Sequence, residues 1–240
     1  MQGDPHKPHI SGQFNAELDA IKQHLLEMGG LVEQQMGQVM DALLNRDSGR
    51  SAAVIAADRD INAMEMQIDE ECSRILALRH PAASDLRLVL AVVKSTTDLE
   101  RIGDEASKIA RQAIKLSELP PAAGNAADLR RIGRHVSVML RDALDSFARL
   151  DARKAIDVVI DDAAVDAQYD SAMRRFVTLM RQDTRHISAV LHQMWALRGL
   201  ERVGDHATNI AEQVIYLVLG VDVRHMQPAE LQELVAGDRA

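Results

Sequence analysis

Apolar residues recur at intervals of three and four along most of the chain. Leu99, Ile102, Ala106, Ile109 and Ala113 form one stripe, and Leu197, Leu200, Val203, Ala207, Ile210 and Val214 form another, with no period-two alternation in either segment. That spacing belongs to helices with one buried face. The six prolines stand at 5, 8, 81, 120, 121 and 228, so 9–80, 82–119 and 122–227 lack the strongest helix breaker. The pattern predicts six long helices over residues 14–45, 49–79, 84–118, 126–150, 152–183 and 185–219. Asp47-Ser48-Gly49 supplies turn and cap chemistry after the first, and His80-Pro81 followed by Ser84 separates the second from the third. Gly29-Gly30 is expected to bend the first helix.

The proline-rich segment 119–125 falls at the middle of the chain and reads as a linker. Short connections make sequential helices antiparallel neighbours. The expected fold is therefore all-α: two up-and-down three-helix bundles at 14–118 and 126–219, between an N-terminal tail (1–13) and a C-terminal tail (220–240). The halves repeat. Leu99-Glu100-Arg101-Ile102-Gly103-Asp104 and the six residues after it align with Leu200-Glu201-Arg202-Val203-Gly204-Asp205 and its continuation at a constant offset of 101, with eight identities in twelve. A weaker match at an offset of 104 relates Asp58, Ile61 and Asn62 to Asp162, Val165 and Asp166. Since each half owns its aliphatic stripes, either half is a candidate to fold alone.

Composition narrows the function classes. Of 240 residues, 47% are hydrophobic but only six are aromatic, which gives an aliphatic core and no stacking platform for bases. A net charge of −8 disfavours nucleic acid and anionic membranes. Cys72 is the single cysteine, so neither an internal disulfide nor a thiolate metal cluster is available, and it reads as a small buried residue in a reducing, cytoplasmic protein. The first residues lack the apolar core of a secretory signal, and the longest apolar runs are far too short to span a bilayer.

On a helical wheel, Glu100 and Asp104 lie about 100° and 140° from Leu99, outside the apolar arc, and stack at i, i+4. Glu201 and Asp205 repeat the arrangement. Like charges so placed cost roughly 0.2–0.5 kcal/mol, and the glycine between them about 1 kcal/mol relative to alanine. A hard cation held by carboxylate oxygens would offset both, with Gly103 and Gly204 admitting a close neighbour. A solvated face with local pairs such as Asp104 to Lys108 or Arg198 to Glu201 is the alternative, although neither pair recurs in the other half. Asp58/Asn62 and Asp162/Asp166 add a polar i, i+4 pair on the preceding helix of each half, and Asn62 leaves the first set one charge poorer. His206, beside Asp205, is a weaker ligand candidate; His6 and His9 sit in the expected tail. No P-loop, HExxH, GxSxG, Rossmann or ferritin-type Glu-x-x-His pattern is present.

The duplicated Leu-Glu-Arg-Ile/Val-Gly-Asp resembles the paired E(D)xxxD signature of the PhoU family, regulators attached to bacterial phosphate-specific transport. The similarity extends through His9-Ile10-Ser11-Gly12-Gln13-Phe14-Asn15-Ala16-Glu17-Leu18, Ala83-Ser84-Asp85-Leu86-Arg87-Leu88-Val89 and Phe147-Ala148-Arg149. The resemblance implies two three-helix bundles with metal sites at Glu100/Asp104 and Glu201/Asp205, accompanied by Asp162/Asp166 and, imperfectly, Asp58/Asn62. It implies bound divalent or trivalent ions (Fe, Zn, Mn or Mg) and a cytoplasmic, non-enzymatic repressor of the phosphate-starvation response. The implied partners are the sensor histidine kinase, the ATPase subunit of the phosphate ABC transporter and a second copy of the chain. Nucleic acid is not among them, and the membrane enters only through these partners. The alternative is a carboxylate-bridged, metal-dependent phosphate-ester hydrolase.

Overall fold

The computed structural model describes residues 7–120 and 126–237. Helix α1 runs over Lys7–Asn45, α2 over Ser48–Arg79, α3 over Ala83–Ser117, α4 over Ala126–Arg149, α5 over Ala152–Gln182, α6 over Ile187–Leu219 and α7 over Pro228–Gly237. Side-chain caps set several limits. Asp47 accepts from Arg50 N at 2.9 Å, and Asp151 from Arg153 N and Lys154 N at 3.1 Å, each worth about 1 kcal/mol to its helix. At the far end of α6, Gly220 takes the left-handed conformation at φ 72° and donates to Tyr216 O, a C-terminal stop.

Limits expected from the sequence hold within two residues except at the chain ends. Helix α1 begins at Lys7, inside the expected tail 1–13, and residues 220–240 include α7, which packs on α5 and buries Leu231. Of the tails and the linker, residues 1–6 (with His6), 121–125 and 238–240 lie outside the described residues.

Helices α3 and α6 are the centre of the molecule. They pack on each other, α1 and α2 cover α3, α4 and α5 cover α6, and α1 touches α4. One aliphatic core therefore runs through both repeats, with Phe147 and Phe176 fully buried in the second. Polar groups cross the central contact at two levels, two helical turns apart. Glu105 of α3, 4% exposed, accepts from Lys108 at 2.9 Å and pairs with Arg202 of α6 at 3.2 Å. Two turns away, Asp98 accepts from Asn209 at 2.9 Å and lies 2.8 Å from His206 Nδ1.

The pseudo-twofold shows in reciprocal contacts. Gly29 of α1 is open toward Leu144 of α4, whose Cδ2 would stand 2.6 Å from an added Cβ, and Gly133 of α4 is open toward Met40 of α1. Both partners shift by 104 residues, the offset of the weaker sequence match. Gly29 thus makes room for α4, and α1 runs through Gly29-Gly30 without interruption.

These contacts predict opposite signs for two glycine substitutions. A Cβ at Gly30 meets nothing within 4 Å, so Gly30→Ala is expected to gain about 0.5–1 kcal/mol from helix propensity. At Gly199 the Cβ would stand 2.8 Å from Ile109 Cγ1 in the central contact. Overpacking there costs about 1–3 kcal/mol, which exceeds the propensity gain. Urea unfolding of the two variants checks the contrast, and equal stabilisation of both would contradict the packing described.

Candidate functional site

The acidic residues singled out in the sequence meet in two equivalent seams, α2 against α3 and α5 against α6. Gly103 and Gly204 are the seats of this approach. A Cβ at Gly103 would lie 3.1 Å from Ile61 Cδ1 and 3.3 Å from Asp58 Oδ1; at Gly204 it would lie 3.6 Å from Val165 Cγ1 and 3.7 Å from Asp162 Oδ1. Ile61 and Asp58 correspond to Val165 and Asp162 across the 104-residue shift. Missing side chains on α3 and α6 therefore bring a carboxylate of the neighbouring helix alongside each Glu-x-x-x-Asp pair.

In the second seam, Glu201 is only 8% exposed. Burial is the main reason its carboxyl is pushed up to about 7, reinforced by Asp205, Asp166 and Asp162 and opposed by Arg198. Asp162 rises to about 6, first through burial and then through Asp205 and Asp166, and Asp205 is raised by burial and Asp166. Arg198 donates to Glu201 Oε1 at 2.6 Å and lies 5.8 Å from the centre of the Tyr169 ring, whereas Glu201 Oε2 is buried with no hydrogen-bond partner. In the first seam Glu100 is half-buried and raised by burial, Asp104 and Asp58, with Arg101 at 3.7 Å opposing.

Two expectations change. The helical wheel puts the motif carboxylates on an outer face, but the arc outside the core stripe of α6 is covered by α5, which buries Glu201. The first seam is also not poorer in charge. Glu65, one helical turn beyond Asn62, is raised by burial, Glu100, Asp69 and Asp104, so Asp58, Glu65, Glu100 and Asp104 match Asp162, Asp166, Glu201 and Asp205 in number. The sequence signal was the i, i+4, i+7 spacing of Asp58, Asn62 and Glu65. The repeat comparison passes over it because Tyr169 occupies the equivalent place. Gln35 of α1 also enters the first seam, with Nε2 3.5 Å from Asp58 Oδ1 and Oε1 buried without a partner. Asn62 Oδ1 is likewise buried and unpartnered.

The local-pair alternative is met in part. Arg198 does pair with Glu201, but Lys108 turns to Glu105 and not to Asp104. His206 pairs with Asp98 across the central contact. Cys72 is buried and its thiol is pushed up to about 12 by burial, which makes it unreactive. The donor set suits a hard cation chemically: oxygen ligands only, carboxylates that repel one another, and a buried Glu201 oxygen left without a partner. As the side chains are placed, no group of three or more His, Cys, Asp or Glu among the described residues is already gathered into a ligand set. Holding a cation there would require side chains of the cluster to change rotamer. No helix among the described residues is long and apolar enough to cross a membrane.

The PhoU domain model matches the chain twice, at residues 25–113 and 129–214, one match for each repeat. A phosphate-specific transport system accessory protein PhoU homolog of Pseudomonas aeruginosa is 54% identical over 231 residues, covering 96% of each chain. The phosphate-specific transport system accessory protein PhoU of Escherichia coli is 45% identical over 230 residues, covering 95% of each. The crystal structure of PhoU from Pseudomonas aeruginosa superposes with a TM-score of 0.85 at 55% identity, over 87% of this chain and all of that one. The phosphate transport system regulatory protein PhoU of Streptococcus pneumoniae gives 0.82 at 32% identity, over 88% of this chain and 99% of that one.

Proposed function

The chain belongs to the PhoU family, and from that premise we propose that it is a cytoplasmic, metal-binding adaptor that holds the phosphate-starvation response off when phosphate is plentiful. Its place in the regulation of phosphate transport comes with the family. The finer role is contact with the ATPase subunit of the phosphate ABC transporter and with the sensor histidine kinase, with a second copy of the chain as a further partner.

The observation that supports this reading is the pair of equivalent seams, in each of which a glycine seats a carboxylate of the neighbouring helix beside a Glu-x-x-x-Asp pair. In the first, Asp58, Glu65, Glu100 and Asp104 would hold a divalent or trivalent cation, and in the second Asp162, Asp166, Glu201 and Asp205. A bound cation supplies positive charge that cancels the repulsion within each cluster and ties α2 to α3 or α5 to α6. Arg198 balances part of the charge of the second seam, and Tyr169 lies against its guanidinium. The seams would then act as charged surfaces whose shape and potential depend on metal, which suits an adaptor. Among the described residues, His206 is held by Asp98 and the one cysteine is buried, so neither stands in a seam as a base or nucleophile.

A phosphate-ester assay separates the adaptor from the hydrolase. Protein loaded with Mn, Mg, Zn or Fe and incubated with p-nitrophenyl phosphate is expected to release no more product than metal in buffer. Metal-dependent turnover that disappears in Glu201→Gln would replace the adaptor reading with an enzyme.

A further inference from the structure

A groove of about 630 Å³ opens between α4 and α5, and none of the residues that line it belongs to either carboxylate cluster. Its α4 wall carries Arg130, Arg131 and Arg134; His135, Asp161 and Gln168 complete the polar lining. The α5 wall is already paired. His135 Nε2 lies 2.6 Å from Asp161 Oδ2, and the Gln168 amide lies 2.8 Å from His135 Nδ1, so both ring nitrogens are engaged. Arg131 reaches Asp128 at 3.3 Å, a carboxylate also held by Arg175. Arg130 and Arg134 are exposed, and neither has an ion-pair partner among the described residues. They stand at i, i+4, where like charges repel.

The fold does not require this charge. Under the 104-residue shift that relates the reciprocal Gly29 and Gly133 contacts, Arg130, Arg131, Arg134 and His135 correspond to Leu26, Glu27, Gly30 and Leu31. Asp161 and Gln168 correspond to Ala57 and Met64. The equivalent positions of the first repeat thus carry no arginine, and the basic groove belongs to the second repeat alone. It sits on a chain of net charge −8, which repels anions elsewhere.

We propose that this groove binds an oligophosphate anion through the guanidiniums of Arg130 and Arg134, with Arg131 at its rim. Guanidinium forks match phosphoryl oxygens in pairs, and two of them one helical turn apart, on the order of 6 Å along the axis, match the span of linked phosphates better than a single ion. The volume lies in the range of small-molecule sites and exceeds what one orthophosphate fills. The fixed His135–Asp161 pair keeps the negative wall opposite, so the anion lies against α4. The groove is separate from the carboxylate seams, and this site does not rest on their holding metal.

Isothermal calorimetry of the full chain with sodium tripolyphosphate, at about 150 mM salt so that diffuse attraction is screened and with chelator present, tests the site. One saturable event per chain is expected, weakened at least about ten-fold in Arg130→Gln/Arg134→Gln. Affinity should be unchanged in Arg111→Gln/Arg153→Gln, which removes equal charge from exposed positions elsewhere. Arg130→Lys/Arg134→Lys should fall between, since it keeps the charge and loses the fork, and orthophosphate should bind more weakly than tripolyphosphate. Circular dichroism melts confirm that each variant is folded. Absence of saturable heat, equal weakening in the two glutamine variants, or binding of a polyglutamate peptide but not of tripolyphosphate would overturn the proposal.

Discussion

A host strain lacking its own copy and carrying the chain with Glu100→Gln, Asp104→Asn, Glu201→Gln and Asp205→Asn is expected to transcribe phosphate-starvation genes in phosphate-rich medium at the level of the deletion strain. The amides keep the volume of the carboxylates, and the aliphatic stripes of α3 and α6 are untouched, so the folded chain should persist. What disappears is the motif pair of each seam, half of its carboxylates, and on the proposed reading the metal-dependent surface offered to partners goes with it. Lys115→Ala or Glu118→Ala, exposed positions near the end of α3, should restore repression fully. Reporter assays in the complemented strains read the result. Full repression by the quadruple variant would locate signalling on other helix faces.

Metal-free protein carrying Glu201→Gln is expected to melt higher than metal-free wild type at pH 8, and Mn is expected to stabilise the wild type but not the variant. Burial and three neighbouring carboxylates push Glu201 up to about 7 from an ordinary value of 4.5. A carboxyl whose folded value is raised binds its proton more readily in the native state than in the unfolded chain. Its contribution is therefore most favourable below about pH 4.5 and is lost as pH rises through about 7. Asp162, raised to about 6, and Glu212, raised to about 7 by burial, act in the same direction. The neutral amide removes the Glu201 part of that loss, on the order of 1–2 kcal/mol after allowance for relaxation and solvent. Metal reverses the order: at a hundred-fold excess over its dissociation constant a ligand stabilises by about 2.7 kcal/mol, and only the wild type retains the full donor set. Thermal melts of both proteins at pH 5 and pH 8, with EDTA or with Mn, check both halves. A metal-free variant less stable than wild type at pH 8 would show that Glu201 is held by a favourable ion pair with Arg198 and not by a strained cluster.

The six long helices were legible because their determinants are local: apolar spacing, proline positions and caps such as Asp47. The motif pairs were legible because the chain states them twice. What escaped depended on neighbours distant in sequence. Gly29 reads as a bend until Leu144, in the other repeat, is seen to fill the space beside it. The burial of Glu201 is invisible on a wheel drawn for α6 alone, since α5 supplies the cover. Glu65 escaped for the opposite reason, because searching by repetition finds only what both halves share and Tyr169 stands in its place. Helix α7 is a single ten-residue segment beyond the last repeat, with too few turns to establish a period. The arginine groove needs α4 and α5 side by side before its charges form one feature.

Affinity capture of the tagged chain from phosphate-replete cells, washed with or without EDTA and read by mass spectrometry, asks most directly whether the carboxylate seams carry the regulatory contact. The ATPase subunit of the phosphate transporter and the sensor histidine kinase are expected among the captured proteins, at levels cut sharply by EDTA and by the Glu100→Gln, Asp104→Asn, Glu201→Gln, Asp205→Asn variant. Capture of both partners in equal amounts by the wild type, the EDTA-washed protein and the variant, or failure of the wild type to capture either, would contradict the proposed role.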